Sequence, residues 1–388
     1  MKKIFENTKV AFALKSDSEL ERAYYLFKLI KNEPLVKIGT AVTKFALKSK
    51  LPIEGLIRST VFDHFCGGVT EEDCMLTIEK LYTKRVHSVL DFSVEGKEEE
   101  IYFDNARDKT LKIIDFVEEK QSIPFAVFKP SGFGRFALYQ KITENKKLTP
   151  KEEVEWSRVV ARYEAVCKAS FEKNIPLLID AEESWMQTAA DDLIEQMMEK
   201  YNKEKAIVFG TLQLYRHDRL DYLKKLHIRA KQKGYIVAQK LVRGAYMEKE
   251  RERAEEMQYQ DPICKDKSTT DKNYNNTLQY MFDNLDSMAI FCGTHNESSS
   301  YLFMELIMNS NYDKMDSRLW FGQLYGMSDN ISYNLAKEGF NVAKYLPFGP
   351  VKDVMPYLIR RAEENTSVAG QTSRELSLIK TERKRRKN

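Results

Sequence analysis

Apolar and β-branched residues occur in eight short runs between residues 87 and 347, and longer segments of mixed polarity separate them. Short apolar runs predict buried strands, and the segments between them have the length of helices. Strands that alternate with helices favour a parallel sheet, and eight of them predict a (β/α)8 barrel. The runs are HSVLDFSV (87–94), PFAVFK (124–129), PLLID (176–180), AIVFGTLQ (206–213), YIVAQKLVRG (235–244), SMAIFCGTH (287–295), RLWFGQL (318–324) and NVAKYLP (341–347).

The residues before the first run have a helical pattern. In SELERAYYLFKLIKNEPLVKIGTAVTKFALKS (18–49) the apolar positions recur at helical spacing, and Ser18 or Asp17 could cap the start of the helix. The sequence therefore predicts an N-terminal helical region (1–85), a distorted (β/α)8 barrel (86–370) and a basic C-terminal tail (371–388).

Composition agrees with a globular protein: the chain has 388 residues, of which 43% are hydrophobic and 31% charged. The net charge of +4 is too small to indicate a nucleic-acid partner. Basic residues cluster in the run KTERKRRKN (380–388), for which the simplest interpretation is a disordered, solvated tail. The alternative is a weak contact with an anionic membrane surface.

Five scattered cysteines without a C-x-x-C motif predict reduced thiols and no metal site. The N-terminus lacks the unbroken apolar stretch of a signal peptide and has no arginine, unlike a mitochondrial transit peptide. We therefore expect a cytoplasmic protein, and contact through the basic run would place it peripherally at the inner face of the membrane. The cysteines are Cys66, Cys74, Cys167, Cys264 and Cys292.

Polar or ionisable side chains follow nearly every predicted strand, and the active site of a (β/α)8 barrel lies at the carboxyl ends of its strands. Taken singly, each residue has an ordinary explanation, such as a helix cap for the aspartates or solvent exposure for the lysine. Taken together, they favour a real site. They are Asp91, Lys129, Asp180, Glu182, Gln213, Tyr215, Arg243, Tyr246, Thr294, His295 and Tyr345.

The segment GFGRFA (132–137) imitates a dinucleotide-binding fingerprint. Pro130 and Ser131 separate it from the preceding strand, and an eightfold alternation does not favour a Rossmann fold. A lone match of this kind is a weak signal.

A helix predicted from about Val351 carries two adjacent arginines. Tyr357, Arg360, Arg361 and Glu364 share one face at i, i+3, i+4 and i+7. An Arg360–Glu364 pair in solvent is the simplest explanation of that face. The opposite face has the pattern of an ordinary core stripe, with Val351, Val354, Met355, Leu358 and Ala362.

From about residue 87 to residue 370 the chain resembles proline dehydrogenase, in its monofunctional, eukaryotic-type form. The resemblance implies a barrel that binds FAD and oxidises L-proline to Δ1-pyrroline-5-carboxylate by hydride transfer to FAD, with electrons passed to a quinone. This is the first step of proline degradation to glutamate, and it implies handover of the product to a pyrroline-5-carboxylate dehydrogenase. The motifs are IDAEES (179–184), KLVRGAYMEKERERA (240–254), GTHNE (293–297), WFGQLYGMSDNIS (320–332) and KYLPFGPVKDVMPYLIRRAEENTS (344–367).

The resemblance also assigns roles to residues. Arg360 and Arg361 match the pair that binds the substrate carboxylate, and Lys129 matches a lysine that assists them. The residues that match the surroundings of the proline ring and its arginine clamp are Asp180, Leu324, Tyr345 and Tyr357. Those that match the flavin site are Gln213, Lys240, Arg243, Tyr246, Thr294, His295 and Glu364.

Two positions depart from the bacterial pattern. Lys240 stands where many bacterial members have an arginine near the flavin, and Met247 stands where some have a tryptophan. Three other activities remain open: a dehydrogenase for hydroxyproline or another cyclic imino acid, a folate-linked flavin reductase, and a non-enzymatic helical interaction protein. The arginine pair argues against the reductase, and the residues at the strand ends argue against the interaction protein.

Overall fold

The computed structural model describes residues 3–32, 54–92, 98–367 and 371–388, together with positions 34, 36 and 39. Eight parallel strands form a nearly closed barrel surrounded by helices, in the order β1-β8-β7-β6-β5-β4-β3-β2. The predicted barrel and its eight strands are confirmed, although residues 93 and 94 of the first run lie outside the described residues. The strands are β1 (Val86–Phe92), β2 (Ala126–Phe128), β3 (Leu177–Ile179), β4 (Val208–Gln213), β5 (Val237–Val242), β6 (Met288–Gly293), β7 (Leu319–Leu324) and β8 (Val342–Phe348).

The chain divides into two compact units. Unit 1 combines residues 1–95 with 322–388, and unit 2 consists of residues 96–321. The domain boundaries drawn from the sequence stay predictions.

Unit 2 contains β2 to β6, the helix that precedes β2 and the helices that follow each of these strands. Its strands are buried along almost their whole length, which explains why they are continuous apolar runs rather than alternating ones. The longest helix, Pro150–Glu172, begins with a capping box formed by Thr149 and Glu152, with Pro150 as its first residue. The helices are Glu100–Val117, Phe136–Thr143, Pro150–Glu172, Ser184–Tyr201, Arg219–Lys233, Met247–Met257, Lys267–Asp283 and Glu297–Met308.

The GFGRFA segment serves packing in unit 2. Phe133 stacks on Phe128 with a centroid distance of 4.2 Å. A Cβ atom on Gly134 would lie 2.5 Å from Cγ2 of Val159, so only glycine fits there. Gly134 of this motif is therefore explained without a nucleotide.

In unit 1, β1 pairs with β8 from Val86↔Val342 to Phe92↔Phe348. The helix that follows β8 begins at Val351, as predicted, and the expected core stripe is buried over its first turns. The described helices of unit 1 with at least four residues are Thr8–Ala11, Asp17–Ile30, Glu54–Ile57, Arg58–Phe62 (a π-helix), Glu71–Tyr82, Asp329–Lys337, Val351–Ser367 and Gln371–Lys387.

The predicted start of the second N-terminal helix was wrong by one or two residues. Ser16 is the cap, and it forms a capping box with Glu19; Asp17 is the first helical residue and Ser18 the second. The error has a simple cause: Ser16, Asp17 and Ser18 are all good capping residues, and both Ser16 and Ser18 have a glutamate three residues later, so the sequence pattern does not separate them.

The prediction of a disordered tail at 380–388 was also wrong. Residues 371–387 form a helix, and Leu376, Leu378 and Ile379 are buried against the Asp17–Ile30 helix. Arg386 donates to Asp17 at 2.7 Å and Arg383 donates to Glu21 at 2.7 Å. Buried apolar side chains and ion pairs order a run that its charge alone suggested was disordered.

All five cysteines are buried, and none of them forms a disulfide in the structure. Among the described residues, no helix is long and apolar enough to cross a membrane. Within the same residues, no group of three or more histidine, cysteine, aspartate or glutamate side chains is arranged to hold a metal ion.

Candidate active site

In unit 2 the predicted site residues stand at the carboxyl ends of their strands. Lys129 and Asp180 directly follow β2 and β3, and Gln213 is the last residue of β4. Lys240 lies within β5, which is followed by Arg243 and Tyr246, and Thr294 and His295 follow β6. The topology therefore brings this half of the predicted site to one end of neighbouring parallel strands.

Asp180 and Lys240 form an ion pair that the sequence analysis did not anticipate. The Lys240 ammonium donates to Oδ1 of Asp180, and the lysine is only 5% exposed. The resemblance assigned the aspartate to the substrate clamp and the lysine to the flavin. Their contact means that a change at one of them alters the position and charge of the other.

Arg243 is held by three hydrogen-bonded partners. Its Nε donates to Asp271 at 2.8 Å, Nη1 to Oγ1 of Thr294 at 2.7 Å, and Nη2 to Oγ of Ser299 at 3.0 Å. Its guanidinium also lies over the Tyr274 ring, 4.5 Å from the centroid. Two predicted flavin residues, Arg243 and Thr294, are thus joined in a fixed network.

Burial acts to raise the pKa of Asp271, but hydrogen bonds from Lys267 and Arg243 hold it below its ordinary value. Asp271 therefore stays ionised and keeps the Arg243 guanidinium in place at neutral pH. Asp271 and Ser299 were missed by sequence reasoning, because both lie inside helices rather than at strand ends.

Gln213 presents a buried amide oxygen. The residue is 2% exposed, and its Oε1 has no hydrogen-bond partner within the part of the chain that the structure describes. Leaving such an acceptor unsatisfied costs about 1–3 kcal/mol. A ligand that supplies an N–H donor would remove this cost, and an isoalloxazine ring has one.

Gly244 explains part of the RGAY sequence. It has a φ of +130°, and a Cβ atom there would lie 2.4 Å from the Tyr215 ring. Only glycine allows the chain to pass this ring between Arg243 and Tyr246. Tyr246 and His295 are half-buried, so each has a surface that a ligand can reach.

Glu182 is a buried carboxyl group to which the resemblance gave no role. Burial raises its pKa to about 7, although hydrogen bonds from Ser131 and the charge of Lys129 act in the opposite direction. It belongs to the IDAEES motif, which was the available signal for its importance.

In unit 1 the remaining site residues surround the end of β8 and the helix after it. Tyr345 and Tyr357 are buried, and Leu324 packs against the apolar cluster that contains Tyr357. Tyr345 lies three residues before the end of β8, and its carbonyl accepts a hydrogen bond from the Tyr325 N–H at 2.8 Å.

The two arginines differ in their exposure to solvent. Arg361 is 9% exposed, and its guanidinium carbon lies 5.4 Å from the centroid of the Tyr357 ring, within range of a cation–π contact. Arg360 is half-buried. Glu364 belongs to the same helix, but its side chain lies outside the described part of the structure. Arg361 is therefore a buried side chain packed against an aromatic ring, not a solvated one.

Comparison with known proteins decides the family. A family model described as proline dehydrogenase matches residues 74–374. The chain belongs to the proline dehydrogenase family. It is accordingly an oxidoreductase that acts on proline, and the resemblance found in the sequence is confirmed.

The relatives cover most of the chain. A protein of Pectobacterium carotovorum named carbapenem antibiotics biosynthesis protein CarD is 36% identical over 90% of this chain and 91% of its own length. Mitochondrial proline dehydrogenase 1 of Dictyostelium discoideum is 29% identical over 98% of this chain and 74% of its own. The human mitochondrial proline dehydrogenase 1 is 37% identical over 62% of this chain and 40% of its own.

A solved structure shares the fold. Proline utilization A of Bdellovibrio bacteriovorus superimposes with a TM-score of 0.73 at 17% identity, over 95% of this chain and 39% of that one. At this identity the likeness shows the proline dehydrogenase barrel and no more.

Proposed function

We propose that this chain oxidises L-proline to Δ1-pyrroline-5-carboxylate with FAD as hydride acceptor and a quinone as final electron acceptor. The observation that carries the proposal is the Arg360–Arg361 pair, with Arg361 buried against Tyr357 on the helix after β8. The family assignment argues against a folate-linked reductase and a non-enzymatic helical protein.

The arginine pair suits a small cyclic amino acid. Two guanidinium groups offer planar, fixed sets of N–H donors that match a carboxylate, whereas lysine offers only a point charge. Holding the carboxylate this rigidly fixes the ring carbon that loses the hydride. The surrounding positive charge also favours the neutral amine, whose lone pair assists departure of the hydride.

The residues of unit 2 fit FAD. Arg243, Thr294 and His295 would hold its polar groups, Tyr246 and Lys240 would lie near its ring, and the buried Gln213 oxygen would accept from an N–H of the ring. FAD, when bound, supplies the two-electron acceptor for the hydride. The Asp180–Lys240 ion pair fixes the position of the lysine ammonium at this site.

The proposal also covers the route of the electrons to a quinone and the location of the protein in the cell. A quinone lies in a membrane, so we propose a peripheral contact with an anionic surface, for which the end of the Gln371–Lys387 helix offers exposed cations. Localisation at the inner face of a cytoplasmic membrane and handover to a pyrroline-5-carboxylate dehydrogenase follow as further expectations. Sedimentation with vesicles that contain anionic lipid, compared with neutral vesicles, tests the contact.

Anaerobic reduction of the bound flavin tests the function directly. The purified protein should be yellow, and L-proline should bleach it without added NAD. A panel of trans-4-hydroxy-L-proline, pipecolate and methylenetetrahydrofolate covers the alternatives. Faster bleaching by any member of the panel than by proline would replace the proposed substrate.

Gln213→Ala should weaken FAD binding by about fivefold to tenfold, because it removes one buried hydrogen-bond acceptor from the cofactor. Flavin content and the Kd for added FAD are the measurements. Gln239→Ala is the matched control, since Gln239 is equally buried on the neighbouring strand and also has an Oε1 atom without a partner among the described residues. An equal loss of FAD affinity in both variants would mean that Gln213 contributes only to the packing of the core.

Tyr345→Ser should shift selectivity from proline toward trans-4-hydroxy-L-proline. A ring hydroxyl that meets a buried aromatic wall is desolvated without compensation, and serine removes that wall and adds a hydroxyl. The ratio of kcat/KM values for the two substrates should change by a factor that corresponds to about 1–3 kcal/mol of activation free energy. Tyr345→Phe keeps the bulk of the side chain and should leave the ratio almost unchanged. If the ratio also stays constant in the serine variant, Tyr345 does not limit which substituents the substrate ring can carry.

A further inference from the structure

The turn that carries Lys129 is held by three buried side chains of unit 2. It runs from Lys129 to Phe133, directly after β2. The Tyr139 hydroxyl donates to the Pro130 carbonyl at 3.0 Å, and Arg162 Nη1 donates to the Phe133 carbonyl at 3.0 Å. Most surface turns have no such support, so a specific geometry is maintained here.

Glu182 is the third of these side chains and contacts the centre of the turn. Its Oε2 accepts from the Ser131 backbone N–H at 2.7 Å, and its Oε1 accepts from the Ser131 hydroxyl at 2.6 Å. Its own backbone N–H donates to Oε1 of Gln187 at 2.8 Å. Glu182 lies three residues after β3, so it ties the turn after one strand to the loop after the next.

The charges around Glu182 explain its position. Lys129 at the end of β2 attracts it, and Glu183 of its own loop repels it. Tyr139 and Tyr163 face it from two neighbouring helices. Glu182 is 7% exposed, and a buried carboxylate is tolerated only with donors and an opposite charge nearby. Both its oxygens are engaged by Ser131, which suits a group that holds the turn rather than one that transfers a proton.

We propose that Glu182 is a positioning residue for Lys129, holding the turn so that the lysine ammonium stays within reach of the substrate carboxylate. The proposal rests on the proposed function, in which Lys129 assists the arginine pair. If the turn were flexible, Lys129 would have to be ordered each time the substrate binds, and this entropy cost would lower substrate affinity. The geometry of the hydride-transfer step would stay the same.

A double-mutant cycle with Lys129 separates positioning from a general structural role. Glu182→Ala should raise KM for proline about tenfold, with kcat within about twofold of the wild type and with unchanged flavin content. Glu182→Gln keeps an acceptor for the Ser131 N–H and should recover most of the affinity. In a Lys129→Met background, Glu182→Ala should raise KM by less than about twofold, because the group it positions is absent.

Effects that multiply in the double variant would overturn the proposal, as would a Lys129→Met enzyme with the KM of the wild type. Should Glu182→Ala fail to fold, Ser131→Ala replaces it in the cycle, with an expected rise of about threefold.

Hydrogen exchange at the Ser131 amide gives a readout that needs no substrate. It should be slow in the wild type and at least about tenfold faster in Glu182→Ala. If proline failed to reduce the wild-type flavin, the proposed function would be wrong, but hydrogen exchange would still test whether Glu182 holds the turn. Equal exchange rates in both proteins would show that Glu182 does not hold it.

Discussion

Arg361→Met is expected to weaken proline binding by about 2–4 kcal/mol, which corresponds to a rise in KM of roughly 30-fold to 700-fold. Methionine keeps the length and much of the apolar contact of the side chain but removes the charge and the fork of N–H donors. The flavin should remain bound, since all the residues matched to the flavin site except Glu364 lie on other elements. Steady-state kinetics with a soluble quinone and the visible spectrum of the purified variant measure the two effects.

Two further variants test whether the effect of Arg361→Met is specific to the arginine pair. Arg360→Met should behave similarly, because the carboxylate needs both guanidinium groups. Lys352→Met is the matched control: it removes an exposed positive charge from the same helix and should change KM by less than about twofold. Wild-type kinetics in both arginine variants would return the pair to the role of a solvated helix face.

The second large effect concerns stability. Lys344→Met should destabilise unit 1 by about 3–5 kcal/mol, because it leaves a buried carboxylate without its main partner. Lys344 is fully buried on β8, its Nζ lies 2.8 Å from Oδ1 of Asp329, and it donates to the Met327 carbonyl at 2.7 Å. The shift of the unfolding transition in urea, followed by near-ultraviolet circular dichroism, is the measurement.

Lys15→Met provides the comparison for Lys344. Lys15 also contacts Asp329, at 3.3 Å, but its side chain is partly exposed, so its loss should cost much less. Replacing the whole pair, in Lys344→Met with Asp329→Leu, should recover most of the lost stability, because well-packed apolar groups can substitute for a buried ion pair. A Lys344→Met variant as stable as Lys15→Met would contradict the argument.

The strands could be predicted from the sequence because each is buried on both faces. Runs such as AIVFGTLQ remain apolar along their length, and turn residues or charged helices separate them. The Gln371–Lys387 helix could not be predicted in the same way. Leu376, Leu378 and Ile379 are its three apolar residues, too few for a clear amphipathic pattern, and the cations that follow dominate the composition. Its order depends on partners about 350 residues earlier in the chain.

The positions of the site residues followed from the strand ends, but their partners did not. Lys240 and Asp180 are sixty residues apart, on β5 and just after β3, so their contact depends on sheet order and side-chain direction. The burial of Arg361 was hidden too, because helical spacing places it on the polar face. Tertiary packing determines both the Lys240–Asp180 contact and the burial of Arg361.

Because the Gln371–Lys387 helix packs on the Asp17–Ile30 helix, two segments far apart in the sequence cover one another, and this has a consequence for synthesis. Leu20, Ala23 and Phe27 leave the ribosome well before the residues that cover them, at positions 376–379. At about 5–20 residues per second, the wait is roughly 20 to 70 seconds. During that time the apolar face of the Asp17–Ile30 helix lacks its partner, and a transcript that stops shortly before codon 371 would release a protein in which this face is never covered.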